Sequence, residues 1–453
     1  MLIDVTANHP LPLPAQIAAG IRAAVADGSL MPGDAVISTR ALAAQLGVSR
    51  GTVVAAYDQL ISEGYLLASQ GAPTRVHPEL PAASGQAGAA GGVEVALASN
   101  LLLSLKPAPS AAGGVRPAAW RAAWREAAAE PGGPVDKSGQ PELREAVAEH
   151  LRLTRGLNVA PGQLVVSGGS REGLMLILAT LAAQTGRRLR VGVESPGHPG
   201  LRRIIPMGGH ELVECATDVG GIEVAHLPGG LDAVLVTPAH LYPLGGTMPA
   251  ARRAQLVEWA VRTGTAVIED DFNAELHYRT APQPTLAAQA PQGAEVFTLG
   301  TFSTLLSKEL AAGYVVASAS SAESLAQTRR VLGMPVSAVT QRAVAHLLRG
   351  GYVRRNTRAV HARLAARRDV LEADLLPALR GMGAAAELSG AVGADAVVSF
   401  ASEERTAEFE ALLAQAGYEA GRLPRALILS FSHLDEAEFA TAVATLERLT
   451  SQA

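Results

Sequence analysis

Few residues in this 453-residue chain are equipped for covalent chemistry. Lysine, whose primary amine condenses with an aldehyde, occurs only at positions 106, 137 and 308, so a lysine-dependent cofactor has few places to attach. The single cysteine, Cys215, can form no internal disulfide and offers no metal cluster, which suits a reducing compartment and leaves small apolar packing as its expected role. Two other groups of residues suit the binding of anions. In the first, Ser49, Arg50 and Thr52 open a helix-like run, where side-chain donors can meet a phosphate or a base edge. Thr39 and Arg40 begin the preceding run, where backbone amides also face phosphate, and Thr74 and Arg75 lie on a later strand-like piece. In the second, Ser167-Gly168-Gly169-Ser170 joins an apolar run to an amphipathic one. Such a corner presents amides to an anion, and it is equally an ordinary strand-to-helix junction.

The first group needs a frame, and residues 13 to 77 supply one. Leu13, Ile17, Ile21, Ala24 and Val25 have the spacing of a helix with one buried face, and Gly28 ends it. Ser38 can cap a second helix, TRALAAQL, with Leu42 and Leu46 on one side. After the tight turn Gly47-Val48-Ser49, the run RGTVVAAYDQLISEGY places Val53, Ala56, Tyr57 and Leu60 on one face. YLLAS and TRV then flank Gln70-Gly71-Ala72-Pro73 as a small hairpin. Helix, helix, turn, helix and hairpin is the order of a winged helix-turn-helix, whose last helix enters the major groove of DNA. Residues 1–77 hold four arginines against five acids, and the whole chain carries a net charge of -4, so attraction to DNA must come from a local face. Three of those four arginines, Arg40, Arg50 and Arg75, fall on the face that the motif presents.

Residues 78–115 are rich in Pro, Ala, Gly and Ser and read as a flexible linker, interrupted by the apolar piece ALASNLLLSL, which can dock on the next domain. From residue 116 onward, apolar strands such as QLVVSGG, RLRVGVES, TAVIEDDF and GYVVAS alternate with amphipathic helices. That alternation predicts a mostly parallel sheet covered by helices on both faces. The last eighty or so residues, with DAVVSF and ALILSF, predict a smaller α+β subdomain after an Arg-rich helical stretch over 337–376. Within that stretch, YVRRNTRAVHARLAARRD is expected to be a solvated face rather than a track for DNA. No run of 18 uncharged apolar residues and no signal-peptide pattern is present, so a cytoplasmic protein without membrane attachment is expected.

The stretch PGDAVISTRALAAQLGVSRGTVVAAYDQLISEGYL closely resembles the GntR-type winged helix. After it, VSGGSREGL, ESPGHPG, TPAHLYPLGG, IEDDFNAEL and GTFSTLLS come in the order found in the MocR/GabR family of regulators, a resemblance that runs from about Ala15 to Leu449. It implies an α/β fold: an N-terminal winged helix-turn-helix fused to a type I aminotransferase-like domain with a smaller C-terminal subdomain. It also implies a homodimer and a pyridoxal phosphate site built on a lysine. Matched without gaps, GTFSTLLSKELAAGY puts Thr304 at that lysine, and threonine cannot form an imine with the cofactor aldehyde. Lys308 lies four residues later, about one turn away if the segment is helical, and is otherwise a solvated surface lysine. The match keeps the acid for the pyridine nitrogen as Asp270 but replaces the tyrosine that bonds the ring hydroxyl by Phe272 and the phosphate-binding arginine by Ala311. His198 takes the place of the stacking aromatic, and Ile428 that of the carboxylate-binding arginine, with Arg425 the nearest cation. Asp270 and His240 are then expected to hold neighbouring loops rather than a cofactor.

A DNA-binding transcriptional regulator is therefore expected, with an inactive aminotransferase-like domain that dimerises and senses a small-molecule effector. The vestigial pocket is expected to comprise Ser167, Gly168, Gly169, His198, His240, Asp270, Phe272, Thr304, Lys308 and Ala311, with no covalent pyridoxal phosphate and no metal. Non-covalent pyridoxal phosphate is disfavoured because a buried phosphate would lack its cation. The alternatives are a diverged aminotransferase using Lys308 and a ligand-free dimerisation scaffold.

Overall fold

In the computed structural model the described residues are 5–6, 11–68, 73–80, 102–107, 115–130, 134–243, 245–276, 283–291, 293–388 and 394–451. The chain divides into two compact units, Met1–Asn100 and Leu101–Ala453.

In the first unit, three helices α1 (Leu13–Ala26), α2 (Thr39–Leu46) and α3 (Arg50–Ser62) precede the strands β1 (Leu66–Leu67) and β2 (Arg75–Val76). The termini obey local chemistry. The Ser38 hydroxyl accepts from the Ala41 amide at 3.2 Å, and the Ser49 hydroxyl accepts from the Thr52 amide at 3.1 Å. Gly47 closes α2 at φ 66°, a left-handed conformation that costs glycine nothing. Ile17, Ile21, Leu42, Val53, Leu60, Leu66 and Val76 form one core, each at most 1% exposed. Tyr57 packs into it and donates its hydroxyl to the Ile37 carbonyl at 2.6 Å, which satisfies its one buried polar atom. The antiparallel pair Leu66↔Val76 and Leu67↔Arg75 is the wing; residues 69–72 of the expected hairpin turn lie outside the described residues.

The second unit opens with β3 (Leu103–Leu105), α4 (Pro117–Ala127) and α5 (Pro141–Thr154). A run of alternating elements comes next: β4 (Leu164–Ser167), α6 (Ser170–Thr185), β5 (Arg190–Ser195), α7 (Pro199–Arg202), α8 (Ile204–Met207), β6 (Glu211–Asp218) and β7 (Gly221–Ile222). After these stand β8 (Ala233–Val236), α9 (Ala250–Thr263), β9 (Ala266–Asp270), α10 (Leu286–Gln289), β10 (Val296–Thr301), β11 (Gly313–Val316) and α11 (Ala319–Leu332). Eight of these strands form one sheet in the order β4-β11-β10-β9-β8-β5-β6-β7. The pairs from β10 across to β6 are parallel, and the sheet's inner strands are buried along their length, as the continuous apolar runs require. β11 runs antiparallel to both β10 and β4. Its link from β10, residues 302–312, is too short for a helical crossover, so the chain turns straight back. That link carries Thr304 and Lys308. Residues 303–306 form turns and Lys308–Leu310 a single 3-10 turn, so the helical segment invoked to bring Lys308 one turn from Thr304 is absent.

After α12 (Ala338–Arg349) and α13 (Tyr352–Val370), a π-helical turn over Leu371–Leu375 leads into α14 (Leu376–Gly381). The C-terminal strands β12 (Ala385–Leu388), β13 (Asp395–Ser399), β14 (Tyr418–Leu423) and β15 (Ala426–Ser430), with α15 (Glu403–Gln415) and α16 (Glu436–Thr450), build the smaller subdomain. Its sheet order is β12-β13-β15-β14-β3. Leu103–Leu105, part of the stretch read as a linker, thus adds a parallel edge strand beside Tyr418–Ala420. Residues 81–101 and 108–114 of that stretch lie outside the described residues. The Arg-rich helix α13 is not uniformly a solvated face. Arg367 is 2% exposed, donating to the Phe431 carbonyl at 2.7 Å with its guanidinium 5.0 Å from the centre of the Phe439 ring. Arg368 is also buried, beside Glu372. The periodicity could not show this, because a long arginine stem packs like an apolar side chain once its head finds a carbonyl.

Candidate functional site

Each unit carries a candidate site. In the first, Arg40, Ser49, Arg50 and Arg75 are exposed, whereas Thr39, Thr52 and Thr74 are half-buried. The cap geometry explains part of this: the hydroxyls of Ser49 and Thr52 lie 2.8 Å apart, tying the first turn of α3 and leaving Arg50 to project from it. Arg75 is engaged with the Gly33 carbonyl at 2.9 Å, which fixes the wing against the loop before α2. The head therefore presents two arginines at helix starts and one on the wing, on a folded frame that needs no ligand to form.

In the second unit, a cavity of about 420 Å³ opens at the carboxyl ends of β4, β9 and β10. It is lined by Gly168, Gly169, Ser170 and Arg171 at the start of α6, by His198 and Leu201 beside α7, by Asp270 and Phe272 after β9, and by Thr301, Ser303, Thr304 and Ala311 around the β10–β11 link. Seven of the ten expected pocket residues thus meet at one place. Ser167 and His240 do not line it. Ser167 is fully buried and donates to the Gly169 carbonyl at 3.3 Å, and His240 is buried 5.9 Å from the Phe272 ring. The side chain of Lys308 lies outside the described residues. Ile428 is 1% exposed in the middle of the small sheet, and Arg425 is exposed and bonded to the Ala401 carbonyl, so neither forms part of the cavity.

The corner at Gly168 is partly closed to anions. Its amide donates to Glu172 at 2.8 Å, and Glu172 in turn pairs with Arg329, which is 2% exposed. Gly169 sits at φ 97° and ψ -179°, a region that only glycine enters without strain. The first-turn amides of α6 beyond it, at Ser170 and Arg171, have no helical carbonyl to bond. Asp270 is 2% exposed and accepts one side-chain hydrogen bond, from Ser170 at 3.0 Å. Burial pushes its carboxyl up to about 7, against the lowering effect of that bond. Next in sequence, Asp271 is gripped by Arg155, whose Nε and Nη2 reach the two carboxylate oxygens at 3.1 and 2.8 Å. This buried pair fixes the loop that carries Asp270 and Phe272.

His198 caps α7 through Nδ1, which accepts from the amides of Gly200 and Leu201 at 3.1 and 3.3 Å. The ring proton therefore sits on Nε2. Burial, and then the nearby Arg171 charge, lower its pKa and keep the ring neutral. Its ring stands edge-on to Phe272 at 5.8 Å and 5.0 Å from Tyr242. Arg171 was not anticipated from the sequence. A cation in the first turn of a helix opposes the macrodipole, and that local misfit was the available signal. Among the described residues no cluster of His, Cys, Asp and Glu could hold a metal ion, and no helix is long and apolar enough to cross a membrane.

A winged helix joined to this sheet and cavity defines a class: a bacterial regulatory head of the gntR family, which matches residues 13–76, with the aminotransferase class I and II family, which matches residues 111–417. The chain belongs to the MocR/GabR-type regulators that share this pairing. It is 43% identical to the HTH-type pyridoxine biosynthesis transcriptional regulator PdxR of Corynebacterium glutamicum, over 82% of this chain and 80% of the relative. It is 28% identical to the probable rhizopine catabolism regulatory protein MocR of Rhizobium meliloti, over 80% and 77% of the two chains. Among solved structures, an aminotransferase from Mycobacterium tuberculosis superimposes with a TM-score of 0.66 at 22% identity, covering 79% of this chain and 93% of that one. That likeness establishes the fold.

Proposed function

We propose that this protein is a DNA-binding transcriptional regulator whose aminotransferase-like domain senses a small molecule without forming a Schiff base with pyridoxal phosphate. The observation that carries the reading is the pocket's own lining. Thr304 is 4% exposed on the cavity wall, and no lysine is among the described residues that line it. A hydroxyl cannot condense stably with an aldehyde as an amine does. Ala311 and Phe272, both on the wall, offer neither a phosphate-binding charge nor a hydroxyl. The covalently bound cofactor of the fold does not fit these residues, so no catalytic step is derived through it. Asp270, whose one side-chain hydrogen bond comes from Ser170, is left without a fixed cation, and His240 serves to back Phe272.

The head acts through Arg50 at the start of α3 and Arg40 at the start of α2, with Arg75 on the wing and Thr39, Ser49, Thr52 and Thr74 supporting backbone contacts. The functional units of this reading are a head over 1–77, a connecting stretch over 78–115 and an effector and dimerisation domain over 116–453. Two heads in one dimer add their separate DNA contacts, which a head with no net positive charge requires. The name of the Corynebacterium relative points to genes of pyridoxine biosynthesis as the regulated set.

Footprinting of the full-length protein on its own promoter region, with and without pyridoxal phosphate, tests this. Protection of two half-sites unaffected by the aldehyde supports it. A yellow protein whose borohydride-reduced adduct maps to Lys308 by mass spectrometry overturns the inactive-domain reading in favour of an aminotransferase.

A further inference from the structure

Arg171 is the one cationic residue among the described residues that line the cavity. Its guanidinium makes no hydrogen bond or ion pair to any described residue. Its position is nonetheless defined. A Cβ at Gly200 would lie 2.6 Å from Arg171 Nη2 and 2.9 Å from Nε, so the side chain rests over a residue without one. It stands beside the first-turn amides of Ser170 and Arg171, and the pocket has no charge at Ala311 to compete with it. A second, independent feature also calls for a ligand. Thr304, 96% buried by the complement of its 4% exposure, lines the cavity, yet its hydroxyl bonds no described residue. Lysine in that place would select an aldehyde by reacting with it. A hydroxyl instead pairs with groups that both donate and accept hydrogen bonds, and it gives an aldehyde no covalent advantage.

We propose that the pocket binds phosphorylated hydroxymethyl- or aminomethyl-pyridines, the alcohol and amine forms of vitamin B6, without covalent attachment: Arg171 and the α6 amides hold the phosphate, and Thr304 pairs with the exocyclic hydroxyl or amine. This rests on the reading of the domain as a Schiff-base-free sensor and specifies its ligand class. The cation for the phosphate has moved from the β10–β11 link to the first turn of α6. His198 offers its neutral ring as a wall and its Nε2 proton as a donor, and Asp270 closes the buried end. The pocket then reports how much of the vitamin pool is not yet oxidised to the aldehyde.

Isothermal calorimetry on the full-length protein tests this with pyridoxine 5'-phosphate, pyridoxamine 5'-phosphate, pyridoxal 5'-phosphate, pyridoxine and inorganic phosphate. The alcohol and amine phosphates should bind at least as tightly as the aldehyde, and pyridoxine should bind about tenfold or more weakly than its phosphate, the scale of one charge-assisted contact. Arg171→Gln should remove most of that phosphate preference while leaving affinity for pyridoxine itself unchanged, and Arg171→Lys should restore part of it. Thr304→Val should weaken the alcohol and amine forms but not 4-deoxypyridoxine 5'-phosphate. Unchanged melting curves establish that each variant is folded. Tighter binding of the aldehyde than of both other forms by tenfold or more, a phosphate preference that survives Arg171→Gln, or no binding of any B6 phosphate overturns the proposal. Operator footprinting without ligand reads the regulator function separately: protection without B6 binding sinks the ligand assignment alone, and B6 binding without protection sinks the regulator reading alone.

Discussion

At the scale of single residues, Asp270 sets a testable pH dependence. Its carboxyl ionises near 3.8 in an unfolded chain and is pushed up to about 7 by burial in the folded one. Between those values the unfolded chain binds fewer protons, so the group's contribution to stability is fully present below about pH 4 and is lost as pH rises through about 7. Asp270→Asn keeps an acceptor for Ser170 and removes the titration. Its melting temperature relative to the parent should therefore rise from pH 5 to pH 8, by an energy on the order of 1–4 kcal/mol. A difference that is flat across that range rejects the assignment; Glu194 and Glu269, also raised to about 7, are common to both proteins and cancel. The lost cofactor contacts make a second prediction. Thr304→Lys alone should bind pyridoxal phosphate weakly, whereas adding Ala311→Arg and Phe272→Tyr should each contribute about 1–3 kcal/mol to one shared ligand. The triple variant should turn yellow, with coupling beyond the sum of the single changes, as read by aldimine absorbance against cofactor concentration. A folded triple variant that stays colourless at saturating cofactor shows a pocket remodelled beyond these three positions.

At the scale of elements, the cavity is held open by contacts behind it. The residue that closes α5, Arg155, is 2% exposed and spends its guanidinium on Asp271 and on the Gln283 carbonyl at 2.7 Å. This joins the end of a helix to the loop after β9, the loop that presents Asp270 and Phe272. Removing one partner of a buried ion pair strands the other, so Arg155→Ala should cost about 3–5 kcal/mol. Urea denaturation should show it as a lower midpoint, and a loss below ~1 kcal/mol would mean that solvent reaches Asp271 and relieves it. The outliers of the backbone fall in the same region. Asn273 at φ 56° and Ala311 at φ 44° are the non-glycine residues at positive φ among the described residues, one directly after Phe272 and one on the cavity wall. Each such conformation costs about 1–2 kcal/mol and persists only where surrounding packing imposes it.

At the scale of the whole molecule, function depends on two separately folded units working on different ligands. The head has its own core and its own caps, so a change on its DNA face should leave the larger unit intact. Arg50→Ala should weaken binding to the protein's operator by about 1–3 kcal/mol if it reads a base edge, with an unchanged melting transition for the aminotransferase-like unit. Gel-shift titration at fixed salt measures this, and operator affinity unaltered in both the Arg50 and the Arg40 variants would remove the head from the DNA interface. Sedimentation of the full chain should show a dimer, and a monomer at operator-binding concentrations contradicts the proposed coupling of two heads.

The amino-acid sequence alone determined the head almost completely, because its signals are local: Ser38, Gly47 and Ser49 mark the helix ends, and period and spacing mark the buried faces. It likewise determined the alternating strands and helices, and through Thr304, Ala311 and Phe272 it pointed at the wall of the cavity. Tertiary structure decided the features that depend on residues distant in the chain. The hairpin-like return of β11 comes from the short link after β10, and only the paired sheet shows that this places Thr304 with Gly169 and Asp270 on one cavity. The docking of Leu103–Leu105 beside β14, the burial of Arg367 and the pairing of Arg155 with Asp271 join partners 64 to more than 300 residues apart. Arg171 belongs to the same class: in the sequence it is one arginine among many, and its significance comes from Gly200, His198 and Ala311, which only the fold brings around it. Periodicity reports which face of an element is apolar, but the partner that satisfies a buried charge is chosen by packing.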